Sequence, residues 1–212
     1  MKTDELIAAL AADTKTVSRP IDRQLWIAIA GGAIVATLIF LLGVGPRPDI
    51  AAALETPRFL YKYLLTLTLF ASAVGLMLHL ARPGAVPAGW LAGLAIPPVL
   101  LIASVIAEIL LVPSSAWSMS LMGKNAVVCL VLIPLLSAAP LAAVMWTLRD
   151  GAPTHPMLAG AVAGLAAAGI GATLYATHCQ DDSPFFVAAW YGLAIMIVTV
   201  VGAFLGARLL RW

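Results

Sequence analysis

The chain has 212 residues, of which 62% are hydrophobic and 10% charged, with a mean hydropathy of +1.02 and a formal net charge of +2. A soluble domain carries about 25% charged residues, so this composition excludes a water-covered globule and requires lipid as the solvent. The small, dispersed net charge also argues against direct nucleic-acid binding.

Residues 1–23 are the one substantial soluble segment. The first apolar run begins only after Arg23 and is too long for the core of a cleavable signal. Asp4 and Glu5 fall in the first turn of a predicted helix, where negative charge suits the helix dipole. Leu6, Ile7 and Leu10 then share one face, and the intervening alanines support helicity. A helix of about ten residues is marginal alone in water, so it needs a surface to fold against. Amphipathic helices that lie on lipid are usually rich in Lys and Arg, whereas Asp4, Glu5 and Asp13 outnumber Lys2 and Lys15 here. A protein groove with a basic rim, taking Leu6, Ile7 and Leu10 as anchors, fits this segment better.

Six stretches then reach the roughly 20 residues needed to cross a bilayer: Gln24–Val44, Phe59–Leu80, Trp90–Val112, Asn125–Leu148, Met157–His178 and Phe185–Leu209. Turn chemistry separates them, as at Gly45-Pro46-Arg47-Pro48 and Asp181-Asp182-Ser183-Pro184. With the N-terminus inside, the cytoplasmic loops and ends hold eight basic residues (Lys2, Lys15, Arg19, Arg23, Arg82, Arg149, Arg208, Arg211) against four outside (Arg47, Arg58, Lys62, Lys124). That bias puts both termini in the cytoplasm, with the first outer loop its weakest point. The expected fold is an all-α membrane protein: six transmembrane helices (residues 24–212) behind a short amphipathic N-terminal cytoplasmic helix (residues 1–23).

Several spans carry marks of their own. Pro97 and Pro98 fall inside the third span, Pro134 and Pro140 inside the fourth, and each removes a backbone donor and tends to kink its helix. The fifth carries Gly160-Ala-Val-Ala-Gly164, then Gly169 and Gly171, a small-residue face suited to close helix packing within the chain.

On this topology Glu108, Lys124, Cys129, His178, Cys179, Asp181 and Asp182 gather at the outer side. Ionisable groups within a span are costly and usually paired; Glu108 with Lys124 is the expected pair, the alternative being that Lys124 extends to water. Cys129 and Cys179, the only two cysteines, come out about one helical turn apart in depth at roughly 1.5 Å per residue. Three readings are open for them: buried thiols with no special role, a structural disulfide, or a redox- or soft-metal-responsive pair. For a metal, His178 and Cys179 with Cys129, Glu108 or Asp181 offer N, S and O donors, but no metal-binding spacing is present. The chain also has no HExxH, GxSxG or P-loop signature, and no cofactor is expected.

The N-terminal Met1-Lys-Thr-Asp-Glu-Leu-Ile7, Leu10-Ala-Ala-Asp13, a Pro20-x-x-Arg23 approach to the membrane, six spans of this spacing and the late Cys179 resemble the NrsF-type membrane anti-sigma factors along essentially the full chain. That resemblance implies a bacterial inner-membrane protein, not an enzyme, whose partner is an extracytoplasmic-function (ECF) sigma factor. It also implies that Asp4, Glu5, Leu6, Ile7 and Leu10 bind the sigma factor, and that Cys129 and Cys179 sense oxidative or heavy-metal stress from the outer side. The competing expectations are a membrane thiol oxidoreductase, which generally needs a CxxC or a second thiol pair, and a small metal or solute transporter, which needs charges along a path through the bilayer.

Overall fold

The computed structural model describes residues 3–5, 7, 20–82, 88–151 and 153–211. Among these residues there is no strand, and six helices are long and apolar enough to cross a membrane. The fold is therefore an all-α membrane protein with six spans. Thr3, Asp4, Glu5 and Ile7 are helical and exposed; Leu6 and Leu10 lie outside the described residues.

The first span is α1 (Ile21–Gly43), followed by a short α2 (Ile50–Ala53) and the second span α3 (Pro57–Leu80). The third is α4 (Ala88–Gly93) and α5 (Ile96–Leu111), and α6 (Trp117–Met122) leads into the fourth, α7 (Ala126–Leu148). The fifth is α8 (Pro156–Ala176), and the sixth, α9 (Pro184–Leu209), contains a π-helical turn at Val187–Tyr191. Every observed span boundary lies within three residues of its sequence-derived position.

The two pairs of prolines behave differently. Pro134 and Pro140 lie within an unbroken α7. Pro97 and Pro98 do not kink a continuous third span; the helix breaks at Leu94–Ala95 and restarts at Ile96 with both prolines in its first turn. A missing N–H costs nothing there, because first-turn donors have no intrahelical acceptor.

The fifth span is the most buried and the third the least. Helix α8 packs against α9, α3 and α7, while α1 lies on α7 and α5 on α3. Glycine makes the central position of α8 possible. A Cβ on Gly160 would stand 2.3 Å from the Gly202 carbonyl of α9, one on Gly169 2.9 Å from Phe70 Cα of α3, and one on Gly171 2.7 Å from the Ile133 carbonyl of α7. Backbone thus meets backbone on three sides of one helix, the close approach that small residues permit in membranes. The packing of the glycine face is intramolecular, as the sequence indicates.

The bundle has two ends. One, the terminal end, carries Pro20, Arg82, Arg149 and Arg211; the loop end carries residues 44–56, 112–125 and 177–183. Each has its own apolar cluster, with Leu25, Met77, Leu148 and Leu210 in the first and Cys129, Ile133, Tyr175, Phe186 and Tyr191 in the second.

Candidate functional site

The loop between α8 and α9 organises the loop end. Its residues Thr177 to Ser183 reach four other elements. The Thr177 carbonyl accepts the backbone N–H of Arg47 at 2.9 Å, and the His178 ring Nδ1 bonds the Gly45 carbonyl at 3.0 Å. The Cys179 carbonyl accepts Lys62 Nζ at 2.9 Å and, more weakly, Arg47 Nη1 at 3.5 Å. Asp182 receives both cations, Arg47 at 2.9 Å on Oδ2 and Lys62 on Oδ1. Lys62 is only 1% exposed and its partner Asp182 17%, so two buried charges are matched rather than hydrated, as membrane-depth charges must be.

Asp181 does different work. Its carboxylate accepts the backbone N–H groups of Lys124, at 3.1 Å, and Asn125, at 3.0 Å, and the Asn125 amide at 2.9 Å. It ties down the two residues that precede α7 from another element, and its negative charge lies near the positive end of the helix dipole. Gly123, at φ 53°, turns the chain into this position, and a Cβ there would stand 2.5 Å from the Phe186 ring.

Glu108 does not pair with Lys124. Its carboxylate accepts Arg58 Nη2 at 2.8 Å and the Ser183 hydroxyl at 3.1 Å. The physical reason is packing: α5 lies against α3, which brings Arg58 beside Glu108. At Lys124 it is the backbone that bonds the loop.

Both cysteines are fully buried, free, and members of the same apolar cluster. Cys129 sits in the first turn of α7, its N–H on the Asn125 carbonyl at 2.8 Å. The Cys179 thiol lies 3.8 Å from the Asp181 carbonyl. Tyr175 packs against Tyr191 in a tilted arrangement with ring centroids 5.6 Å apart, and its hydroxyl donates to the Asn125 carbonyl at 3.3 Å. The Tyr191 hydroxyl, delivered by the π-helical turn, is buried beside Cys179. π-Turns within α-helices are rare and concentrate at functional sites.

The electrostatics follow the geometry. Burial pushes the Cys179 thiol above its ordinary range, although the Lys62 ammonium pulls the other way. The hydrogen bond from Arg47 holds the Asp49 carboxyl below the usual carboxylate range, and Asp49 with Asp182 raises Arg47 in return. Among the described residues no three His, Cys, Asp or Glu side chains group as a metal site would require.

Sequence reasoning placed Cys129, Cys179, His178, Glu108, Lys124, Asp181 and Asp182 at one end, and the structure brings them there. It missed Arg47, Arg58 and Lys62 as partners. A usable signal existed, because three basic residues on the side disfavoured by the charge bias match three acids near them: Asp49, Glu108 and Asp182.

Fold and site together define a multi-pass α-helical membrane protein with a buried thiol pair held at one end by a closed ion-pair network. Residues 10–212 match the family model described as negative regulator of sigma F, NrsF. The chain is 37% identical to the probable anti-sigma-F factor NrsF of Azospira oryzae and 35% identical to the anti-sigma-F factor NrsF of Caulobacter vibrioides, in each case over all of both chains. No solved structure matches. The chain belongs to the NrsF family of negative regulators of sigma F, a class of anti-sigma factors.

Proposed function

We propose that this protein holds an ECF sigma factor at the bacterial inner membrane through its N-terminal segment, residues 1–23, and releases it when Cys129 and Cys179 react at the opposite end. The observation that carries the anti-sigma reading is the family match, which extends over nearly the whole chain. Both termini are cytoplasmic in this reading. The charge bias supports that orientation, and the basic residues that weaken it, Arg47, Arg58 and Lys62, are each tied to an acid.

The acidic start of the head and the apolar triad Leu6, Ile7 and Leu10 suit a groove with a basic rim, as a nucleic-acid-binding sigma factor carries. The head contacts the sigma factor, and this chain contacts no nucleic acid.

The thiols act as a pair. Two-electron oxidation joins the two sulfurs, releases two protons and passes two electrons to a thiol oxidant of the oxidising compartment. A disulfide demands a specific Cα separation and torsion, so it draws the Cys179 loop toward the first turn of α7. Helices α7 and α8 run from that point to the terminal end. A signal shifts an equilibrium only by preferring one state, and here the preference is for the geometry the disulfide imposes. A soft heavy-metal cation bridging the two sulfurs acts on the same coordinate.

The test is co-purification of the sigma factor with the full-length protein, with and without oxidant. Wild type retains the sigma factor and loses it on oxidation, whereas the Cys129→Ser/Cys179→Ser variant retains it under both conditions. A double variant that still releases overturns the thiol switch. Separately, Leu6→Asp with Leu10→Asp frees the sigma factor without oxidant, and unchanged co-purification overturns docking through the head.

A further inference from the structure

Asn125, the residue before α7, is gripped from two sides by the segment that carries Cys179. On one side the Tyr175 hydroxyl donates to the Asn125 carbonyl at 3.3 Å. On the other, Asp181 accepts the Asn125 backbone N–H at 3.0 Å and its side-chain amide at 2.9 Å. Tyr175 lies one helical turn before Cys179, and its own carbonyl accepts the Cys179 N–H at 2.9 Å. Asp181 lies two residues after Cys179, and its carbonyl is 3.8 Å from the thiol. The same Asn125 carbonyl accepts the Cys129 N–H at 2.8 Å. One residue is therefore bonded at once to Cys129 and to both flanks of Cys179.

Each jaw of this clamp is fixed from behind. Tyr175 is buried, and its ring packs tilted against Tyr191 and against His178, with centroids 5.6 Å and 6.1 Å away. Asp182, next to Asp181, is held by Arg47 and Lys62. Packing alone does not account for the Tyr175 hydroxyl. A phenylalanine fills nearly the same space, and burying a hydroxyl costs free energy unless it is bonded. Its bond to Asn125 crosses from the end of α8 to the residue before α7, the two places beside which the cysteines sit.

We propose that Tyr175 and Asn125 are positioning residues for the Cys129–Cys179 pair, holding the Cys179 turn in register with the first turn of α7 so that the two sulfurs can join. The inference rests on the thiol-pair reading above and names the residues that serve it. In the reaction both S–H bonds break and one S–S bond forms. Two electrons and two protons pass to a disulfide oxidant, which is reduced to two thiols. Joining two distant parts of a chain costs conformational freedom, and ordering both ends beforehand lowers that cost. By linkage, a clamp that favours the disulfide is itself favoured by it. Releasing one bond of the clamp therefore weakens the disulfide relative to the thiols.

The test is the reduction potential of the pair. Full-length protein in detergent is equilibrated with mixtures of reduced and oxidised glutathione, approached from both the reduced and the oxidised side, and intact mass after alkylation counts the free thiols. Wild type forms the internal disulfide. Tyr175→Phe weakens it roughly fivefold, the worth of one hydrogen bond, which is about 20 mV toward easier reduction for a two-electron couple. Asn125→Ala, which loses the amide bond to Asp181, shifts the potential in the same direction. Tyr61→Phe is the structural control: it loses a hydroxyl bond between α3 and α5, outside the clamp, and leaves the potential where it is. A potential equal to wild type, or shifted toward harder reduction, in either folded variant overturns the positioning role and leaves the thiol pair standing. An equal shift in Tyr61→Phe also overturns it, as general loosening of the loop end. A wild type that forms no internal disulfide overturns both the thiol-pair reading and this inference. Melting temperatures in one detergent identify the folded variants, and Asn125→Ala decides alone if Tyr175→Phe is not among them.

Discussion

The Lys62 ammonium and the Asp182 carboxylate form an ion pair at the loop end, with Lys62 only 1% exposed and its other bond on the Cys179 carbonyl 2.9 Å away. A pair this buried is destabilising to break, because the remaining charge is left without solvent. Lys62→Met is expected to cost about 1.5–3 kcal/mol, the value of a hydrogen bond to a charged group, because Asp182 keeps its bond to Arg47. Asp182→Asn should cost more, since Asp182 also holds Arg47. Unfolding measured by circular dichroism in a single detergent checks both, and a smaller loss in Asp182→Asn would reverse the ranking.

Two adjacent glycines of α1 should respond in opposite ways to alanine. A Cβ on Gly31 meets nothing within 4 Å, whereas one on Gly32 stands 2.5 Å from Pro140 Cα. Gly31→Ala should stabilise the helix by about 1 kcal/mol through propensity, and Gly32→Ala should destabilise the α1–α7 contact by about 1–3 kcal/mol through overpacking. Melting temperatures of the two single variants decide it.

Cys179 should react slowly at neutral pH. Burial raises its thiol pKa, and the thiolate is the nucleophile. Alkylation by neutral iodoacetamide should run slower in the folded protein than in the denatured chain, because less of the buried thiol is ionised at a given pH. The rate should continue to climb above the ordinary thiol range. The same shift has a sign for stability: the folded state keeps its proton while the unfolded chain loses it. Stability linked to Cys179 is therefore complete below the ordinary thiol pKa and declines as pH rises through the raised one. Alkylation of the Cys129→Ser variant across pH 6–10 isolates the effect.

Removing the Asp181 carboxylate should loosen the start of α7. Asp181→Ala abolishes acceptance from two backbone N–H groups and one side-chain amide, and donors left without their acceptor cost about 1–3 kcal/mol. Hydrogen exchange should accelerate first at the Lys124 and Asn125 amides. Asp181→Asn, which keeps an acceptor oxygen, should lie between Ala and wild type.

The spans were legible because each is an apolar run of about membrane thickness, ended by Gly, Pro and charge. Gly160 and Gly164 were legible as a packing face for a similar reason, since their spacing already puts them on one side of a helix. Glu108 shows where such reading ends. Its depth and need for a partner followed from sequence, but the partner depended on whether α5 lies beside α3 or α7, a lateral choice that no local pattern encodes. Arg58 and Lys62 were hidden for a related reason: basic residues near a helix end extend to water by default, and their acceptors, Glu108 for Arg58 and the Cys179 carbonyl and Asp182 for Lys62, lie far away in sequence. Asp181, expected among candidate ligands, bonds helix α7 instead. The two cysteines were correctly placed at one end, and their common cluster follows from the α7–α8 packing that a short connection at 149–156 favours.

The glycine contacts of α8 bear on how displacement travels through this molecule. Side chains between helices act as compliant spacers, because rotamers can absorb a small movement before a neighbouring backbone feels it. At Gly160, Gly169 and Gly171 that spacer is missing on three sides. The fifth span is seated in its neighbours like a shaft in bare bearings, and movement at its Cys179 end has little slack to take up before it reaches Pro156.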